Sequence, residues 1–141
     1  MPEMFDTVNA PIPRWILAFG AISAVLLAIG AALSLLAPQK LVAPGADINA
    51  ACQIYAGYTF SRNVSLFLML SFGLVKRSRS ILTFTMALFS LINFCDGIMD
   101  MREGRIPIIA VAFLLSCVAA MASLKLFKSS ALAIHSTSKV F

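Results

Sequence analysis

Six residues that could do chemistry fall at helical spacing in an otherwise mostly apolar chain. Tyr55, Tyr58 and Arg62 stand at i, i+3 and i+7 in the stretch YAGYTFSRNVSLFLML. Asn93, Asp96 and Asp100 repeat that interval in a later apolar stretch. Residues so spaced share one face of a helix. Together they hold two carboxyls, a guanidinium, two phenols and an amide. Those groups suit acid–base work, which needs a base, a group to orient it and a proton donor. Asn63 adjoins Arg62 but points about 100° away around the helix. It faces the first or fourth apolar segment, or completes the rim of a pocket.

The elements that must position these groups follow from composition. The 141-residue chain is 60% hydrophobic and 12% charged, about half the charged fraction of a soluble domain. That leaves too little polar surface to cover a globule in water. The class is an integral membrane protein of one compact domain, 1–141. Four apolar segments run over about 15–37, 51–75, 80–100 and 107–124, each near the ~20 residues that a spanning helix needs. None alternates as a barrel strand would. The expected fold is all-α, a four-helix transmembrane bundle with antiparallel neighbours. KRSR and MREGRIP form short connections, and Pro107 suits a first helical turn. A longer connection, 38–50, has room for a small cap. The Ser/Ala-rich tail 129–141 is read as flexible, with His135 as a solvated tail residue. The first segment is too long for a signal-peptide core and lacks a basic leader, so it reads as a retained helix.

The net charge of +5 has a membrane explanation. Basic residues gather at the segment ends, where anionic headgroups are partner enough. No nucleic-acid groove or phosphate loop is visible. One side of the membrane receives Arg14, Lys76, Arg77, Arg79, Lys125, Lys128 and Lys139, and the other Lys40, Arg102 and Arg105. The richer side is the cytosolic one, so both termini are expected in the cytosol. The host is the endoplasmic reticulum in a eukaryote or the inner membrane in a bacterium.

Arg62 belongs to neither side, and its charge needs an answer. The second and third segments form a hairpin around KRSR. One register faces Arg62 with Asp96, Tyr58 with Asp100, Ser65 with Asn93 and Tyr55 with Glu103. Arg62 and Asp96 are equally far from Arg79, so both lie roughly 20–25 Å from the turn. An unpaired arginine at mid-helix costs about 2.5–3.5 kcal/mol on insertion scales, and a guanidinium on a carboxylate recovers much of it. The plainer role for such a pair is to fix the hairpin's register. The functional role is a site, the default expectation for ionisable groups in a membrane.

Other features read as structural. Cys52, Cys95 and Cys117 have no C-x-x-C spacing, which argues against zinc, redox pairs or a disulfide framework. They are expected to be small buried residues. Gly20, Ala24 and Ala28 form a row at four-residue spacing, as do Ala112, Ser116 and Ala120. Such rows let helix backbones approach closely in lipid. Asn63-Val64-Ser65 fits the glycosylation pattern but lies within a membrane segment, so it is rejected as an acceptor.

The residues Gly57, Arg62 and Asn63, followed by Asp96 and Gly97, carry a resemblance. Over roughly 51–105 the chain resembles a family of small four-helix integral membrane proteins of bacteria and fungi, loosely similar to DoxX-like membrane proteins. The first segment matches only in character. The resemblance implies the fold and brings no activity. The chain lacks the cysteine motif of vitamin K epoxide reductases and the Arg- and Glu-rich second helix of glutathione-dependent membrane enzymes. It also lacks the first-helix glutamate of small multidrug transporters.

Two functions from different classes are expected. The first is a cofactor-independent membrane enzyme acting on a lipophilic small molecule by epoxide opening, isomerisation or cyclisation. Asp96 would be base or cation stabiliser, and Arg62 would orient it. Asp100 or Tyr58 would deliver the proton, while Tyr55, Asn63 and Asn93 line the substrate site. Soluble limonene-epoxide-hydrolase-type sites combine the same residue types, an analogy of site composition alone. The second is a non-catalytic accessory or lipid-binding subunit, in which the charges set register. The expected partners are membrane lipids and a lipophilic small molecule, with no nucleic acid and with a homo-oligomer as a possible state. A proton-linked carrier fits less well, because no inverted repeat is apparent.

Overall fold

The computed structural model describes residues 11–40, 49–103 and 106–137. Four helices make up nearly all of it: α1 (Arg14–Leu36), α2 (Ala50–Val75), α3 (Arg79–Glu103) and α4 (Ile106–Thr137). A single 3-10 turn, Pro38–Lys40, follows α1, and the described residues hold no strand. The expected all-α four-helix bundle is what the chain forms. The last helix runs further than expected, through Thr137 rather than ending near Leu124. The extra stretch contains neither Gly nor Pro, so nothing in it stops a helix. His135 falls in these final turns.

Each boundary has a local cause. Pro13 precedes α1, and its carbonyl accepts from Ile16 N at 3.0 Å. Pro38 ends α1, because the residue before a proline is driven out of helical geometry; Ala37 sits at φ −147°, ψ 57°. Asn49 caps α2, its side chain accepting from Cys52 N at 3.0 Å. At the other end of α2, Ser78 N donates to Gly73 O and Arg77 N to Leu74 O, the paired bonds of a Schellman cap. Arg77 takes the left-handed position with φ 49°, one that glycine usually fills. Ser78 then opens α3, its hydroxyl accepting from Ile81 N. Pro107 stands in the first turn of α4, as its missing N–H allows.

α1 packs closely along α2, and α3 along α4, while α2 meets α3 over a much shorter stretch. Buried positions on α1 include Ile16, Gly20, Ser23, Leu27 and Ser34. On α4 they include Ala112, Ser116, Ala119, Ser123 and Leu126, with Ala122 beside them. Their steps alternate mainly between three and four residues, the spacing of a left-handed helix seam. This corrects the expected rows. A strict four-residue step drifts about 40° around the helix each time, so Ala28 emerges exposed and Ala119 replaces Ala120 in the seam. The apolar core, with Leu27, Leu70, Met86 and Leu126 among its members, fills the half of the bundle beside the 76–79 turn.

Large apolar side chains stand exposed on all four helices, such as Ile22, Phe72, Phe84 and Leu114. That surface suits lipid. The cysteines join it instead of the core: Cys95 and Cys117 are exposed, Cys52 is half-buried, and all are reduced. Three helices are long and apolar enough to cross a membrane: α1, α3 through Arg102 and α4 through Lys128. Four were expected. α2 has the length but not the composition, since Arg62 and Asn63 interrupt its middle.

Candidate polar site between α2 and α3

The register read from the hairpin puts Arg62 opposite Asp96, and there they meet. Arg62 Nη1 donates to Asp96 Oδ1 at 2.8 Å. The two side chains are 34% and 37% exposed, so the pair lies at the bundle surface. The contact is single-pronged and leaves Nη2 and Oδ2 out. Arg62 Nε is buried and hydrogen-bonds nothing among the described residues.

The expected tyrosines and asparagines do not converge on this pair. Tyr55 and Tyr58 share the helix face of Arg62 by spacing but point outward, 62% and 73% exposed. Phenols at a membrane interface need no internal partner, so helical spacing alone did not draw them inside. Asn93 does not meet Ser65. Its amide donates to Phe89 O of its own helix at 2.8 Å, and Ser65 is exposed. Asp100 is half-buried, one turn beyond Asp96 on α3. Asn63 turns away from the pair, is buried, and faces α1: a Cβ on Gly30 would lie 2.8 Å from its Nδ2.

A groove of about 310 Å³ opens between α1 and α2, lined by Ser34, Pro38, Gln53, Ala56, Gly57 and Phe60. The ion pair does not line it. Beside the pair, α2 and α3 pack only sparsely.

Several polar features escaped the sequence reading. Ser90 and Ser116 exchange hydrogen bonds between α3 and α4, each hydroxyl donating to the other's carbonyl at 2.9 Å. Ser123 donates to Thr83 O at 3.0 Å. The matching seven-residue spacing of these hydroxyls on both helices was a usable signal. Ser61 and Ser65 stand exposed on α2 beside Arg62, in line with the open Gly57. Lys125 Nζ lies 5.6 Å from the Trp15 ring centre at the turn end of the bundle, a cation–π contact typical of a headgroup layer.

Comparison of the chain with protein families, with curated proteins and with solved structures gives no match.

Proposed function

We propose that this is a multi-pass membrane protein acting as a non-catalytic assembly subunit, which presents the polar face of α2 to another membrane-embedded partner. One observation carries the reading. The Arg62–Asp96 pair lies at mid-helix, is joined by one hydrogen bond and is one-third exposed. In hydrocarbon, polar groups without partners cost several kcal/mol each. A surface so furnished wants cover. The basic ends, with the 76–79 turn and the Trp15–Lys125 contact among them, support cytosolic termini.

A photo-crosslinking residue at Ser61, exposed on α2 and next to Arg62 in sequence, tests this in native membranes. Leu124, exposed on α4, serves as the control site. Discrete protein adducts are expected from position 61 and lipid adducts from 124. Lipid adducts alone from both would overturn the reading.

A second reading keeps acid–base chemistry on a lipophilic molecule. It is supported by the Arg62–Asp96 contact and by Asp100 one turn away, and disfavoured by the outward tyrosines and the separate groove. Mass spectrometry of small molecules co-purifying with wild type, Asp96→Asn and Arg62→Leu separates the two. A compound held only by wild type would favour the enzyme.

A further inference from the structure

We infer that the partner covering α2 is a second copy of this chain, paired through Arg62 and Asp96 about a two-fold axis along the membrane normal. The inference rests on the assembly reading above and names its partner.

The argument starts from the level of the charges. Arg62 and Asp96 are equally distant from Arg79 across the hairpin, and the contact between them is 2.8 Å long. By helical rise the two residues stand level, so the pairing places them side by side rather than one above the other. A two-fold axis along the normal reverses left and right on the facing surface and leaves depth unchanged. Each copy's arginine then faces the other copy's aspartate. Charges stacked along the normal would have met their own kind under the same operation. Both copies also keep the same orientation in the membrane, as the shared Lys/Arg bias of their loops favours. An isologous contact requires a self-complementary patch, and this is one.

The atoms match as well. The contact within one chain uses only Nη1 and Oδ1. Nη2 and Oδ2 remain to pair across the axis, which would convert two single-pronged pairs into a four-membered ring of charge-assisted hydrogen bonds. The surrounding surface permits approach. Gly57, Ser61 and Ser65 follow each other at four-residue intervals on the exposed side of α2, and a Cβ on Gly57 would meet nothing within 4 Å. Small residues at this spacing admit a close neighbouring helix in lipid. Copies of α2 would supply the polar cover that lipid cannot.

The test uses the full-length protein with two different affinity tags, co-expressed in one membrane and extracted in mild detergent. Arg62→Gln copies keep Asp96, and Asp96→Asn copies keep Arg62. Each alone lacks one member of every pair. Mixed together they restore one pair across the axis. The mixture should therefore yield heterodimer in about tenfold excess over either variant's homodimer, the scale of one close charge-pair coupling. Wild type should be dimeric, and Ser65→Trp, which alters an exposed position, should dissociate it without lowering the helical signal or the melting temperature. That variant keeps the test decisive should the charge variants fold poorly. No excess of heterodimer with well-folded variants, or a dimer indifferent to Ser65→Trp, would overturn the second-copy assignment. A position-61 adduct whose mass fits a different polypeptide would overturn it too, while leaving the assembly reading standing. Lipid adducts alone would remove both.

Discussion

Asn63 fills the space that Gly30 leaves. A Cβ built on Gly30 would lie 2.8 Å from Asn63 Nδ2, closer than such atoms approach. The glycine lets α1 come down onto a buried amide of α2. Gly30→Ala should therefore turn the amide, destabilising the fold by about 0.5–1.5 kcal/mol, the cost of an off-rotamer side chain. Asn63→Ala in the same chain should recover most of that loss. Unfolding of the detergent-solubilised protein, followed by circular dichroism, measures both. Equal stability of Gly30→Ala and wild type would refute this contact.

Between α3 and α4 the reciprocal Ser90–Ser116 bonds predict near-additivity. Each single change to alanine should cost about 0.6 kcal/mol and at most about 1.7, as for hydrogen bonds between membrane helices. The double change should cost close to the sum, because each hydroxyl donates to a backbone carbonyl that alanine keeps, so each single variant breaks one bond and leaves the other. A four-way unfolding cycle reads this directly; a double loss well under the sum would mean that the two hydroxyls act through each other.

The hairpin register and the ion pair were legible in the sequence, because two opposite charges inside apolar segments have few places to go. The bundle's pairing was not. KRSR joins α2 to α3, yet these neighbours in sequence touch least, and the close contacts run α1 to α2 and α3 to α4. Those contacts depend on Gly30 meeting Asn63 and on serines meeting across α3 and α4, pairings of small residues that helical spacing alone does not assign. The tyrosines misled for a related reason. A shared face is a property of one helix, whereas convergence on a site depends on how tightly a second helix closes over it. α2 and α3 touch too little for that.

α2 is the helix that needs company to enter a membrane. Placed alone in a host protein, α1, α3 and α4 should insert efficiently and α2 poorly, since Arg62 at mid-helix costs about 2.5–3.5 kcal/mol. Arg62→Leu should shift isolated α2 to mostly inserted. So should supplying α2 with α3 as a hairpin, because Asp96 then meets the guanidinium. Glycosylation mapping of each segment counts inserted against translocated chains. Efficient insertion of wild-type α2 alone would show that its arginine needs no partner.

The same pair makes a further prediction about the whole fold. Arg62→Leu leaves Asp96 with a carboxylate and no guanidinium, and Asp96→Leu leaves the converse. Each orphaned charge must find water or neutralise, so either single change should destabilise more than the two together. Exposure of about one-third on both side chains tempers the effect below the 3–5 kcal/mol seen when a fully buried pair is broken. The double leucine variant should approach wild-type stability within the monomer, since apolar replacement of an ion pair is often neutral. It should nevertheless fail to assemble, because nothing remains to recognise a partner. Thermal unfolding and size analysis on the same three variants separate these outcomes. A double variant less stable than both singles would show that the ion pair stabilises the monomer on its own account, beyond setting register and assembly.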